Sequence, residues 1–214
     1  MKIKVCGMRD AQNIREVEGL GVDMMGFIFW PLSKRYVEVK PDYLPENVER
    51  VGVFVNAEQE EIVQKVRDYA LDIVQLHGDE DLAYATSLRK RLVSSVDKQP
   101  KIVRAISVES RSKVLKAMMW DGYVDALLFE TPTTGYGGSG ESFDWNLLSS
   151  YRGNTPFFLT GGIGPQSLEA LKEFEHPMWI GVDLNSRFES SPALKNIALL
   201  KPFVDELRAF FGKQ

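Results

Sequence analysis

The sequence predicts a closed (β/α)8 barrel, and three observations carry the prediction. Eight short apolar runs alternate with polar or amphipathic stretches along the 214 residues. The runs are almost continuously Val, Ile, Leu and Phe, the pattern of strands buried on both faces of a parallel sheet. No linker, repeat or change of composition divides the chain, so one barrel domain over residues 1–214 is expected. No Gly-x-Gly-x-x-Gly follows the first run, which leaves an open dinucleotide-binding sheet without support.

In order, the strands are expected over residues 3–6, 24–29, 51–55, 73–76, 102–106, 126–129, 157–159 and 179–182. Between the third and fourth, Ile62, Val66 and Tyr69 mark one face of a helix over 58–69, with Val63 beside it. Pro165 opens a helix over 167–174. Near the C-terminus Leu200, Phe203, Val204, Leu207 and Phe211 recur at helical spacing, a stripe that reads as core packing. Pro202 inside it predicts a kink or a restart.

Composition narrows the function classes. The chain is 44% hydrophobic and 26% charged, as a globular protein is, so disordered and fibrous classes drop out. A net charge of −4 with both signs interspersed argues against nucleic acid as a partner. No apolar run approaches the ~20 residues that cross a bilayer, so no membrane association is expected. One cysteine excludes an internal disulfide, and two histidines leave little material for a metal site. A lone thiol without a signal-peptide-like start points to the cytoplasm.

Barrel enzymes take their reactive groups from the C-terminal ends of the strands. The first strand ends in Cys6, either a small buried hydrophobe or a reactive thiol. After the second comes Ser33-Lys34-Arg35-Tyr36, where Arg35 could hold a carboxylate bidentately or stand as a solvated charge. His77, ending the fourth, reads equally as a ligand contact or as a group satisfying nearby backbone. Glu130 ends the sixth on the alternation face of Leu128 and Ala126, where apolar surroundings tend to raise a carboxyl pKa and suit it to general-acid work. Asp125 has the opposite parity. The glycine-rich segment 135–140 reads as a lid or as a connector.

After the seventh strand, Gly161, Gly162 and Gly164 let backbone N–H groups approach an anion closely, and Asn185 and Ser186 follow the eighth. Barrels commonly bind phosphate at this place, although the same glycines would also serve a plain tight turn. A small phosphorylated substrate is the partner these features imply.

In combination the motifs resemble phosphoribosylanthranilate isomerase. They are Lys4-Val5-Cys6-Gly7, Ser33-Lys34-Arg35-Tyr36, Val51-Gly52-Val53-Phe54-Val55 and Val74-Gln75-Leu76-His77-Gly78. Tyr136-Gly137-Gly138-Ser139-Gly140 with Phe143-Asp144-Trp145, Thr160-Gly161-Gly162 and Gly181-Val182-Asp183 complete the set. The resemblance spans the whole chain in register. It implies a (β/α)8 barrel that converts N-(5′-phosphoribosyl)anthranilate to 1-(2-carboxyphenylamino)-1-deoxyribulose 5-phosphate in tryptophan synthesis. It also implies that no metal or organic cofactor is needed. By the same resemblance Cys6 would be the general base, Glu130 the general acid and Arg35 the holder of the anthranilate carboxylate. Gly161, Gly162, Asn185 and Ser186 would hold the phosphate, and Asp183 would lie near the anthranilate amine. His77 is kept as a further ligand contact, and a monomer or homodimer is expected.

Several positions depart from that pattern. Glutamate stands at 130 where the family usually has aspartate, and Arg187 stands where many members have glycine. Asn196 should still cap a helix in place of aspartate. Ala193 would cost ~1 kcal/mol or more if its position needs positive φ. Lys4, on the strand face of Cys6, could lower the thiol pKa or be a charge-paired residue of the lower barrel. Two rival readings remain: another sugar-phosphate barrel, such as a pentose-phosphate epimerase or phosphate-binding synthase, and a non-catalytic relative that binds a phosphorylated ligand.

Overall fold

The computed structural model describes residues 1–132 and 143–212. The segment 135–140, read from sequence as lid or connector, lies outside the described residues. Eight parallel strands form the barrel: β1 (Lys2–Cys6), β2 (Met24–Ile28), β3 (Glu49–Phe54), β4 (Ile73–Leu76), β5 (Lys101–Ser107), β6 (Ala126–Glu130), β7 (Phe157–Leu159) and β8 (Trp179–Leu184). Each pairs with its sequence neighbours, and β1 against β8, with Lys4 opposite Asp183, closes the ring. The fold class read from the sequence is the one observed.

Continuous apolarity has its reason in two-sided burial. Outward-facing Ile3, Val5, Phe27, Leu76, Phe129 and Leu184 pack beneath the surrounding helices. Inward-facing Met24, Val51, Ile73, Val103, Ala126, Leu128 and Phe158 fill the barrel. The inward row of β1 breaks this rule, because Lys4 and Cys6 are buried there.

The helices are α1 (Ala11–Glu18), α2 (Gln59–Tyr69), α3 (Leu82–Ser95), α4 (Arg111–Ala117), α5 (Leu168–Glu173) and α6 (Ile197–Phe211). Between β2 and β3 the chain forms no helix; Pro31, Pro41 and Pro45 in that segment remove amide donors and disfavour helical neighbours. After β6 the described connection is a 3-10 segment, Trp145–Ser150. The proline-opened helix is split into a 3-10 turn, Pro165–Ser167, and α5.

α6 runs on through Pro202 rather than restarting there. The carbonyl that Pro202 leaves without a helical donor belongs to Ala198, and both residues are exposed, so water can meet it. Asn196 caps α6 as expected, its side chain accepting from the Leu199 amide at 3.3 Å. Just before it, β9 (Glu189–Ser191) and β10 (Leu194–Lys195) form a small hairpin after β8. Ala193 in its turn has φ +66°, the conformation in which a side chain is costly. No described helix is long and apolar enough to cross a membrane.

Candidate active site

At the C-terminal end of the barrel one cavity of about 800 Å³, counting its open mouth, is lined by residues at or just beyond the ends of every strand but β5. All nine residues named from sequence, Cys6, Arg35, His77, Glu130, Gly161, Gly162, Asp183, Asn185 and Ser186, lie on its wall. Residues far apart in sequence thus meet at the strand ends, as the barrel expectation requires.

Cys6 sits deep, only 4% exposed, next to Gly26 of the neighbouring strand. A Cβ at Gly26 would lie 2.6 Å from the Cys6 sulfur, so the missing side chain is what makes room for the thiol. Beneath it the buried Lys4 ammonium donates to Asp183 Oδ2 at 2.7 Å and to Gln75 Oε1 at 2.8 Å, and also faces the Cys6 sulfur. Burial works against the ammonium, yet Asp183 and the thiol outweigh it and hold Lys4 above the usual lysine range. For Cys6 the balance falls the other way: burial pushes the thiol pKa up, Lys4 and Lys195 pull it down, and Asp183 adds to the rise. Lys4 is thus a buried, charge-paired residue, and its pull on the thiol is smaller than the push from burial. Asp183 keeps one oxygen, Oδ1, buried without a hydrogen bond among the described residues.

Arg35 reaches the mouth in a different state from the one sequence suggested. Its Nε and Nη2 edge grips the carboxylate of Glu189, with Nε–Oε1 2.9 Å and Nη2–Oε2 2.6 Å. Glu189 also accepts from Lys195 at 2.6 Å, and Lys195 donates to Asn185 Oδ1 at 2.9 Å. Burial raises the Glu189 pKa, but Arg35 and Lys195 outweigh it and hold the carboxyl below the usual range. Burial lowers that of Lys195. Glu189 leaves the Nη1 edge of Arg35 available for a second planar anion.

Across the cavity Glu130 is held by His77, with Nε2–Oε2 3.1 Å, and its side chain keeps 20% exposure. The other ring nitrogen of His77 meets Gln75 Nε2 at 2.9 Å, so this histidine serves side chains rather than backbone. The turn behind it is pinned by Glu80, which accepts from the Gly78 and Asn56 amides at 2.8 Å and pairs with buried Arg104.

After β7, Gly161 and Gly162 take φ +86° and +68°, which only glycine adopts without strain, so the turn places backbone rather than side chains at the cavity wall. Gly164 is extended and needs no such freedom. Arg187 is the exposed residue of the 3-10 turn Ser186–Phe188 after β8 and lines an adjoining cleft with Gly162.

The family described as N-(5′phosphoribosyl)anthranilate (PRA) isomerase matches residues 3–206. The chain belongs to this family. An N-(5′-phosphoribosyl)anthranilate isomerase of Phocaeicola vulgatus is 45% identical over 208 residues, covering 97% of this chain and 98% of that protein. The crystal structure of phosphoribosyl anthranilate isomerase from Thermotoga maritima superposes with a TM-score of 0.80 at 29% identity, covering 98% and 99% of the two chains. A further structure of this enzyme, in complex with reduced 1-(o-carboxyphenylamino)-1-deoxyribulose 5-phosphate, has a TM-score of 0.76 at 26% identity and the same coverage. The family resemblance read from motifs is thereby borne out.

Within this isomerase fold, sequence reading missed Gln75, Glu189 and Lys195. Gln75 carried a weak signal, an amide at an inward position of an apolar strand between Ile73 and His77. Glu189 and Lys195 carried none, since their site contacts depend on the hairpin folding back toward the mouth.

Proposed function

We propose that this chain is an aldose–ketose isomerase that converts N-(5′-phosphoribosyl)anthranilate to 1-(2-carboxyphenylamino)-1-deoxyribulose 5-phosphate. Glu130 is the general acid and Cys6 the general base. The substrate phosphate lies against the Gly161-Gly162 turn with Asn185 and Ser186, and the Nη1 edge of Arg35 takes the anthranilate carboxylate. Asp183 Oδ1, a buried acceptor without a donor among the described residues, suits the anthranilate N–H.

Glu130 protonates the ribose ring oxygen, the C1–O bond breaks, and the nitrogen lone pair forms a protonated Schiff base at C1. The Cys6 thiolate then removes the C2 proton, giving an enolamine that tautomerises to the ketose. C1 is reduced as C2 is oxidised, so no external redox partner enters. Burial disfavours the thiolate before substrate binds; the cationic Schiff base supplies, beside the sulfur, the positive charge that favours it.

The observation that supports this reading is a thiol and a carboxyl lining one cavity beside a glycine turn suited to an anion. Loss of substrate fluorescence in a single turnover tests it. Cys6→Ser and Glu130→Gln should each lower kcat by about 10²–10⁴-fold, while a phosphorylated product analogue still binds. A wild-type chain that binds substrate without consuming it would leave the non-catalytic reading instead.

A further inference from the structure

We propose that Gln75 and His77 are positioning residues that decide which oxygen of Glu130 carries its acid proton. The inference rests on the reading of Glu130 as general acid. Four side chains form one line: Lys4 Nζ to Gln75 Oε1 at 2.8 Å, Gln75 Nε2 to His77 Nδ1 at 2.9 Å, and His77 Nε2 to Glu130 Oε2 at 3.1 Å.

The direction of the line follows from chemistry. An ammonium only donates, so the Gln75 atom facing Lys4 must be its carbonyl oxygen. Lys4 cannot turn away, because Asp183 holds it at 2.7 Å in the closed seam between β1 and β8. The other end of the amide is then N–H2, a donor, and the facing Nδ1 of His77 must accept. A neutral imidazole with Nδ1 accepting carries its hydrogen on Nε2, and that hydrogen points at Glu130 Oε2.

Oε2 is thereby already an acceptor. The proton that Glu130 delivers rides on Oε1, the oxygen without this donor. As it leaves for the ring oxygen, charge grows on the carboxylate and the His77 N–H···Oε2 bond becomes charge-assisted. Nothing in the barrel packing calls for an amide at Gln75. It is 1% exposed and its strand mate Ile73 belongs to an apolar layer, so its amide serves the two polar groups it meets, Lys4 and His77.

Two readouts test this. Ring nitrogen NMR of His77 should show hydrogen on Nε2 alone in the wild-type chain, and an Nδ1–H population should appear in Gln75→Met. With only two histidines, a His176→Gln variant assigns the signals. In kinetics, glutamine overlaps the Nε2 side of an imidazole and asparagine the Nδ1 side. His77→Asn should therefore lose kcat by about tenfold or more with KM little changed, and His77→Gln should recover most of that loss. A wild-type Nδ1–H tautomer, or equal kcat in His77→Asn and His77→Gln, overturns the proposal. Glu130→Gln separates the two layers of argument. If it stays fully active, the acid assignment itself fails. If it is inactive while His77→Asn keeps its kcat, only the positioning role fails.

Discussion

The two sides of this cavity hold their reactive groups in opposite ways. On the β1–β8 side Cys6 is 4% exposed, in a buried set of charges: Lys4, Asp183 and, from the hairpin, Lys195. On the β4–β6 side the Glu130 side chain is 20% exposed and pairs with the His77 imidazole. The buried side governs its proton through several opposed charges. The open side governs its own through the direction of one hydrogen bond. On the proposed roles, dividing acid from base by environment lets two titratable groups serve one substrate in different protonation states.

The buried side should break hardest. Lys4→Met leaves Asp183 buried without its 2.7 Å partner, and removing one member of such a pair costs about 3–5 kcal/mol, to be read by chemical denaturation. A loss under 1 kcal/mol would mean the charges are not coupled as the distances indicate. On the open side, Glu130→Asp shortens the arm by a methylene and withdraws it from His77. Misplacement of about 1 Å costs on the order of a hundredfold in rate, so kcat should fall even though aspartate is common at this position in the family. An unchanged or raised kcat would show that the contact with His77 contributes little.

A titration sharpens the contrast further. Cys6 is the only cysteine, so the thiolate absorbance of the wild type minus that of Cys6→Ser reports it alone. Burial raises the thiol pKa despite Lys4, so its midpoint should lie above the ordinary ~8.5. A midpoint below that value would contradict the balance drawn here. Because the folded thiol holds its proton more tightly than the unfolded one, its contribution to stability is whole below the unfolded pKa. It is lost as pH rises through the folded value. The smallest effect belongs to the hairpin that brings Glu189 and Lys195 to the buried side. Ala193→Gly relieves the positive φ and should stabilise the fold by up to about 1 kcal/mol, measured as a rise in Tm.

Much of the barrel was legible because each strand states its two-sided burial locally, in runs such as Val74 to Leu76 and Ala126 to Phe129. Cys6 and Glu130 were legible as exceptions at strand ends. The turn at Gly161 and Gly162 was legible because its φ angles exclude other residues. Partnerships were not. Lys4 and Asp183 lie 179 positions apart, and Arg35 and Glu189 lie 154 apart, so nothing local distinguishes them from solvated charges. Arg35 was legible as a carboxylate holder, but the carboxylate it grips is the protein's own Glu189. The absence of a helix between β2 and β3 is written locally in Pro31, Pro41 and Pro45. Pro202 shows the converse, a helix breaker tolerated because its orphaned carbonyl faces water.

The most direct measurement follows the two half-reactions separately, by trapping the ring-opened Schiff base with cyanoborohydride during turnover. Cys6→Ser should open the ring but fail to take the C2 proton, so reduced adduct accumulates above wild-type levels. Glu130→Gln should fail to open it and yield almost none. Equal trapping in both variants, or accumulation in Glu130→Gln instead, would contradict the assignment of acid and base to opposite walls of the cavity.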